Sequence, residues 1–442
     1  MTLPIAYPVV GHVPKWLFDR FGFLEACAAS RARIVKLKFG KQVYLLNAAD
    51  DIRHVLETDH ESYSKTLRLN DSAGKQLFGD SVQVQYGAGH RQQRRQLQPV
   101  FMRQAIAGFA PQIASTVDSC LAHWRDGDVI DIVSSTLRLV HRVLGKMLFD
   151  RDFSQCDRAL GEAIFLRRQQ VNQQFSLRVP PLMLLMTGKQ QRASRTLQWL
   201  ERAMDSEIQA RQQHPEQYSD LLSLLIQRQS TRDDSANKRL RDEALATSGG
   251  YETIAAVVIW TWYLLALHPH SEAKVVQEIA QVLGTRSPTA EDISNLTYTK
   301  LVIEESLRLY PPTWIFVRIA QQSDHLPSGT RLHRGDKLYL SPYLIHRHPD
   351  YFPSPHQFDP ERFSDAGRRS RPKFSYFPFG GGPRVCIGQT LAEMTAILVF
   401  VAMVQRVRLT LLPHQRVAPS PQITLLPGRP LNMTIERLDS AR

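Results

Sequence analysis

The stretch Phe379-Gly380-Gly381-Gly382-Pro383-Arg384-Val385-Cys386-Ile387-Gly388 constrains this chain more than any other. Its glycines permit backbone geometry that a Cβ resists and let the backbone approach a flat ligand closely. Pro378 and Pro383 stiffen the same loop. Helical periodicity starts directly afterwards, from Gln389 to about Val404, which sets Cys386 at the positive end of a helix, beside its free N–H groups. That position favours a thiolate over a thiol. A thiolate held by N–H donors can bind iron and push electron density toward the opposite ligand. Two plainer readings compete: a buried structural cysteine in a glycine-rich turn, and a phosphate loop. The phosphate loop fails because the GxxxxGK(S/T) spacing and its lysine are absent.

The 442 residues would allow about three domains, but no Gly/Ser tract, Pro-rich hinge or fixed-period repeat divides them. One domain spanning 1–442 is therefore expected. A formal charge of +13 makes an acidic partner plausible. Nucleic acid is disfavoured, because the Lys and Arg residues are scattered among acids and form no long basic block. Cys27, Cys120, Cys156 and Cys386 lie far apart without a CxxC pair, which argues against zinc or a disulfide framework and fits a reducing cytoplasm. The opening Met1-Thr2-Leu3-Pro4 reads as neither signal peptide nor membrane anchor. The apolar run Ile254–Leu267 is short for a bilayer span and carries Trp260, Trp262 and Tyr263, so a buried helix is expected.

Pro4, Pro8, Gly11 and Pro14 break the opening into an irregular strap. Ile34–Phe39, Gly40-Lys41 and Gln42–Leu46 read as a β-hairpin. From about 88 to 310 the helical period dominates, and short β-like pieces return near Arg331–Leu340 and Gln422–Arg437. The expected fold is mainly α with small β-sheets. The apolar segment Val179–Met186 reads as a buried connection or a substrate-entry lid.

With Phe379, Gly382, Arg384, Cys386 and Gly388 at their observed offsets, the glycine-rich loop resembles the haem-binding motif of cytochromes P-450, of the soluble bacterial type. The resemblance implies that fold, with haem b (iron protoporphyrin IX) between a long central helix and the cysteine loop. It makes Cys386 the iron ligand, sets Phe379 near the sulfur, and pairs Arg384 with a haem propionate. Three further segments mean little alone. Glu305-Ser306-Leu307-Arg308 puts opposite charges three residues apart on one helix face, and Pro311-Pro312 ends that helix; such pairs are usually solvated. Here they resemble the family's ExxR motif, and with Pro360-Glu361-Arg362-Phe363 downstream the resemblance implies a buried network of Glu305, Arg308 and Arg362 bracing the cysteine loop. Ser248-Gly249-Gly250-Tyr251-Glu252-Thr253 places two glycines inside a helix, where they cost stability unless something needs the room. A mid-helix Thr can also turn its hydroxyl to the preceding turn and loosen the ladder. By resemblance Glu252 and Thr253 are the acid–Thr pair that passes protons on the distal side; the frequent second Thr is Ile254 here. Gly89-His90-Arg91-Gln92-Gln93-Arg94-Arg95 opens another helix. His90, which stands where the family often has Trp, and Arg94 are implied propionate contacts, as is Arg318.

The resemblance runs nearly end to end, with about 155–240 carried by position alone. It implies reductive activation of O2 and hydroxylation or epoxidation of a lipophilic small molecule such as a terpenoid, fatty acyl or polyketide compound. With no flavin or iron–sulfur module in the chain, electrons must come from a separate partner, and the resemblance implies a ferredoxin or flavodoxin-type donor with its NAD(P)H reductase. A peroxide-driven peroxygenase or a haem-thiolate isomerase is the rival enzyme, and such relatives typically lack the acid–Thr pair. A non-catalytic haem sensor or carrier would have little use for a proton relay. Substrate-lining stretches are expected around Leu67–Phe78, the central helix, Pro312–Val317 and Thr424–Leu426. Arg91, Arg95 and Arg103, with Arg368, Arg369, Arg371 and Lys373, are expected to attract an acidic electron donor, unless they are simple solubilising charge.

Overall fold

The computed structural model describes residues 11–39, 41–65, 78–153, 158–175, 189–229 and 233–438. Pro4 and Pro8 of the strap, Cys156, the apolar loop 179–186 and nearly all of 67–78 lie outside them. Backbone contacts group into two units, one of Met1–Leu67, Lys300–Cys386 and Pro419–Leu426, the other of Arg68–Thr299, Ile387–Ala418 and Pro427–Arg442.

The first unit is built on a five-stranded sheet in the order Ile34–Phe39, Lys41–Leu46, Lys337–Leu340, Phe316–Ala320, Tyr63–Lys65. Only the pairing of Lys41–Leu46 with Lys337–Leu340 is parallel. The hairpin is tighter than the sequence suggested, since Phe39 pairs with Lys41. That register sets Val35 opposite Leu45 and Leu37 opposite Val43, which brings four buried side chains onto one face. Behind the sheet, Trp16 meets Phe23 edge-on at 6.0 Å and tilts against Trp314 and Tyr339. The Arg20 guanidinium covers both Trp16 and Trp314. Trp314, expected near substrate, thus belongs to this aromatic core.

The second unit is helical. Its central helix, Tyr251–Leu267, is apolar all round rather than on one stripe, and so is buried on nearly every side. It packs against Ile132–Phe149 and Gln389–Val404. Trp260 and Trp262 are fully buried, each withdrawing roughly 200 Å² from water for about 5 kcal/mol of transfer free energy. The stretch Asp234–Leu267 is long and apolar enough to cross a membrane, but 72% of its apolar window is buried inside the fold, as in a core helix. A three-stranded sheet of Val129–Asp131, Asn432–Arg437 and Val407–Leu411 closes this unit. Asp131 caps Ile132–Phe149 by accepting from the Val133 and Ser134 amides, and also accepts from Leu431 N.

Candidate active site

The cysteine loop is held by its own backbone. Gly380 N–H donates to Phe377 O and Cys386 N–H to Phe379 O, each at 3.0 Å, so the loop closes on itself just ahead of the sulfur. Gly380 and Gly382 have φ of +76° and +63°, a region costly for residues with a Cβ. At Gly382 a Cβ would also stand 1.8 Å from the Leu56 carbonyl oxygen. A turn over Gly382–Arg384 then leads to Gly388, the N-cap of the sixteen-residue helix Gln389–Val404. Cys386 stands two residues ahead of that cap, and its side is exposed. Cys27 and Cys120 contrast with it. Burial pushes the Cys27 thiol up to about 12, and burial also raises Cys120, against the opposing pull of Arg142. Among the described cysteines, Cys386 alone is both exposed and set at a helix N-terminus.

Beneath the loop, Glu305 and Arg308 are wholly buried and paired through two bonds, Nε to Oε2 at 2.6 Å and Nη2 to Oε1 at 2.7 Å. Arg308 also donates to the carbonyls of His346, Pro355 and Gln357. Glu305 accepts from Asp359 N, and Arg362 Nε stands 3.7 Å from it. Burial raises the Glu305 carboxyl while Arg308 pulls it down. The expected network of Glu305, Arg308 and Arg362 is present. Sequence reasoning missed its continuation: His346, fully buried, accepts the Phe377 amide on Nε2 at 3.0 Å. Burial, with Arg308 and Arg347 nearby, holds this imidazole far below its ordinary value, so it stays neutral. Only the separation of 31 residues between donor and acceptor hid it.

Arg318 lies in the strand Phe316–Ala320, buried, with Nη1 on the Val317 carbonyl. Arg384 ends the turn before Cys386. Leu425 N donates to Pro312 O at 2.9 Å, which joins two of the stretches nominated for substrate lining.

In the second unit, His90 is buried and Arg94 half-buried on Gly87–Leu97, one turn apart. The glycine pair departs from expectation. Gly249 and Gly250 do not lie inside one helix but separate Asp234–Ser248 from Tyr251–Leu267. There the ladder tightens, with Gly250 N–H on Thr247 O at 2.9 Å, and a Cβ on Gly250 would come 3.1 Å from that carbonyl. Thr253 Oγ1 donates to Gly250 O at 2.9 Å, as its place in the sequence suggested, and Glu252 beside it is 5% exposed.

The expected docking charges are only partly available. Arg371 is half-buried between the rings of Phe352 and Phe363, with Nη1 on Arg362 O at 2.7 Å, and desolvation lowers its guanidinium. It braces the structure instead of facing a partner. Arg368 binds Glu304 and Lys373 binds Glu57. Arg91, Arg95, Arg103 and Arg369 remain exposed, although Arg103 also holds Ala290 O.

The residues of the cysteine loop fit haem: Cys386 offers a soft, exposed sulfur just ahead of a helix, and Arg384 beside it carries the charge that would suit a carboxylate. The chain matches the cytochrome P450 family over residues 1–434 and belongs to it. It is a haem monooxygenase. It is 30% identical to cyclooctatin synthase of Streptomyces melanosporofaciens, over 98% of this chain and 95% of that protein. Cyclooctat-9-en-7-ol 5-monooxygenase of the same organism is also 30% identical, over 93% and 90%. Pentalenene oxygenase of Streptomyces avermitilis is 28% identical, over 98% and 96%. The fold superposes on the crystallised haem domain of cytochrome P450DA with a TM-score of 0.85 at 21% identity, covering 98% of this chain and 96% of that one. Membership implies a redox partner, O2 and a lipophilic substrate.

Proposed function

We propose that residues 1–442 work as one cytochrome P450 domain in which Cys386 ligates haem b, with Phe379 and Gly388 shaping the loop around the sulfur. His90, Arg94, Arg318 and Arg384 would hold the propionates, and Glu252 with Thr253 would supply protons. Bound there, the haem supplies reduction of O2 and insertion of one oxygen atom into substrate. The chain's own part is to present the sulfur at a fixed angle, which the bond from Cys386 N to Phe379 O supports. Thr253 donates its hydroxyl hydrogen to Gly250 O, which leaves the hydroxyl oxygen as an acceptor that would hold a proton-bearing group in place. Glu252, the neighbouring buried acid, would be the proton source.

The substrate is a terpenoid. The names of the similar Streptomyces proteins support this, as do the apolar Leu425 and Leu426 beside Pro312. Electrons come from a ferredoxin or flavodoxin with its NAD(P)H reductase, in the cytoplasm. The single observation that carries the reading is the exposed Cys386 at the N-terminal end of Gln389–Val404. The test is NAD(P)H-dependent oxidation of cyclic terpene hydrocarbons with surrogate redox partners, preceded by a spectral titration of the same compounds. A peroxygenase would turn over with peroxide and no donor, and a haem carrier would form no product.

A further inference from the structure

In the first unit, on the turn whose Leu56 carbonyl packs against Gly382, His54, Asp59 and Asp324 each offer one ligand atom, all within 4.8 Å of one another. Local backbone geometry brings the first two together. His54–Thr58 is a π-turn, and Asp59 N–H donates to the His54 carbonyl at 2.9 Å, five residues back. In an α-helix, residues five apart point about 140° from each other; the wider π-turn brings them toward one face. The strand Asp324–His325 supplies the third ligand, with Oδ2 at 2.7 Å from His54 Nε2. The Tyr63 hydroxyl donates to the same carboxylate. Side-chain exposures of 19% for His54 and 18% for Asp324 leave the group sheltered yet open to an entering ion.

Acids gather around this point. Besides burial, the Tyr63 hydroxyl feels Asp324, Asp59 and Asp51, all of them acids. Asp51 is fully buried, and its Oδ2 has no hydrogen-bond partner. The neighbouring cations Arg53 and Lys373 are both engaged with Glu57.

We propose that His54, Asp59 and Asp324 form a binding site for one divalent transition-metal ion of the zinc class. Two carboxylates and a neutral imidazole carry two negative charges, which a dication cancels. An imidazole ligand suits zinc, nickel or cobalt, whereas magnesium and calcium take oxygen. Bonds of 2.0–2.2 Å in a tetrahedron place ligand atoms roughly 3.3–3.6 Å apart, so small side-chain rotations complete the site and leave its fourth position to water. Tyr63 then orients Asp324 from the second sphere. The ion ties the π-turn to the strand Asp324–His325.

The test is calorimetric titration of tag-free holoprotein, stripped with chelator, using Zn²⁺ and Ni²⁺. Wild type should bind one equivalent, with Mg²⁺ and Ca²⁺ far weaker. His54→Ala and Asp59→Asn should each weaken binding by more than about tenfold, the cost of losing even a second-sphere partner. Both should keep the ferrous–CO spectrum of the parent. Should His54→Ala fail to fold, Asp59→Asn decides alone, since Asn preserves the shape of a half-buried side chain. Absence of binding in wild type, unchanged affinity in the variants, or equal binding of Mg²⁺ would each overturn the assignment.

Discussion

Glu243, on the helix Asp234–Ser248, gives the sharpest pH test of this fold. Burial pushes its carboxyl from 4.5 up to about 8, even though the Val82 amide donates to it; the nearby Asp242 adds to the rise. Gln93 Nε2 donates to the same oxygen, Oε1, at 2.7 Å. The other oxygen can carry the proton, so the folded protein prefers the neutral acid. With the folded value above the unfolded one, this group's stabilisation is fully present below about pH 4.5. It is lost as pH rises through the window up to about 8. At 1.36 kcal/mol per pKa unit, the loss between pH 5.5 and 8.5 is about 3 kcal/mol. Glu243→Gln keeps an oxygen for both donors and has no proton to lose. Urea unfolding at both pH values, as the difference between wild type and variant, isolates this group from all others. The variant's advantage over wild type should grow by about 3 kcal/mol between pH 5.5 and pH 8.5. If the difference does not change between the two pH values, the carboxyl is not held neutral and the reasoning fails.

Cys386→Ala should abolish the red-shifted ferrous–CO band, while Cys27→Ala and Cys120→Ala keep it; difference spectra of purified protein decide this. Thr253→Ala should bind substrate normally but divert reduced oxygen to peroxide, consistent with the roughly 10²–10⁴-fold value of a positioned proton donor; unchanged product per NAD(P)H consumed would reduce Thr253 to helix packing. Glu305→Gln removes the counter-charge of a fully buried arginine, which should cost about 3–5 kcal/mol and lower haem content; denaturation of the holoprotein reads both. Arg95→Glu and Arg369→Glu, made separately, should slow reduction by an acidic donor at low salt without moving substrate affinity, and stopped-flow reduction checks this.

What could be read from the sequence was local. The helix after the cysteine loop begins at Gln389 and ends at Val404, as its periodicity indicated. The hydroxyl of Thr253 turns back to Gly250, an interaction between near neighbours in the chain. The charges of Glu305 and Arg308 were visible as a pair, although nothing in four residues says they are buried. What stayed hidden depends on distant partners. Arg371 looked like free surface charge until Phe352 and Phe363 closed over it. Glu243 looked like an ordinary helix acid, because Val82 is 161 residues away. Gly249 and Gly250 look in the sequence like room made inside one helix, since composition cannot distinguish a loosened helix from two helices meeting at a turn.

These distant contacts give the ExxR network its purpose. Glu305 fixes the guanidinium of Arg308, and the guanidinium gathers the carbonyls of His346, Pro355 and Gln357. Held there by its carbonyl, His346 offers Nε2 to the Phe377 amide. The Phe377 carbonyl accepts from Gly380, and the Phe379 carbonyl accepts from Cys386. Since His346 stays neutral, Nε2 can act as an acceptor; an imidazolium there would repel the amide it must hold. On the other side Gly382 is wedged against Leu56, where no Cβ fits. The loop is therefore fixed from two sides before any ligand arrives. Damage at Glu305 should reach the sulfur through bonds, even though neither Glu305 nor Arg308 takes part in the chemistry.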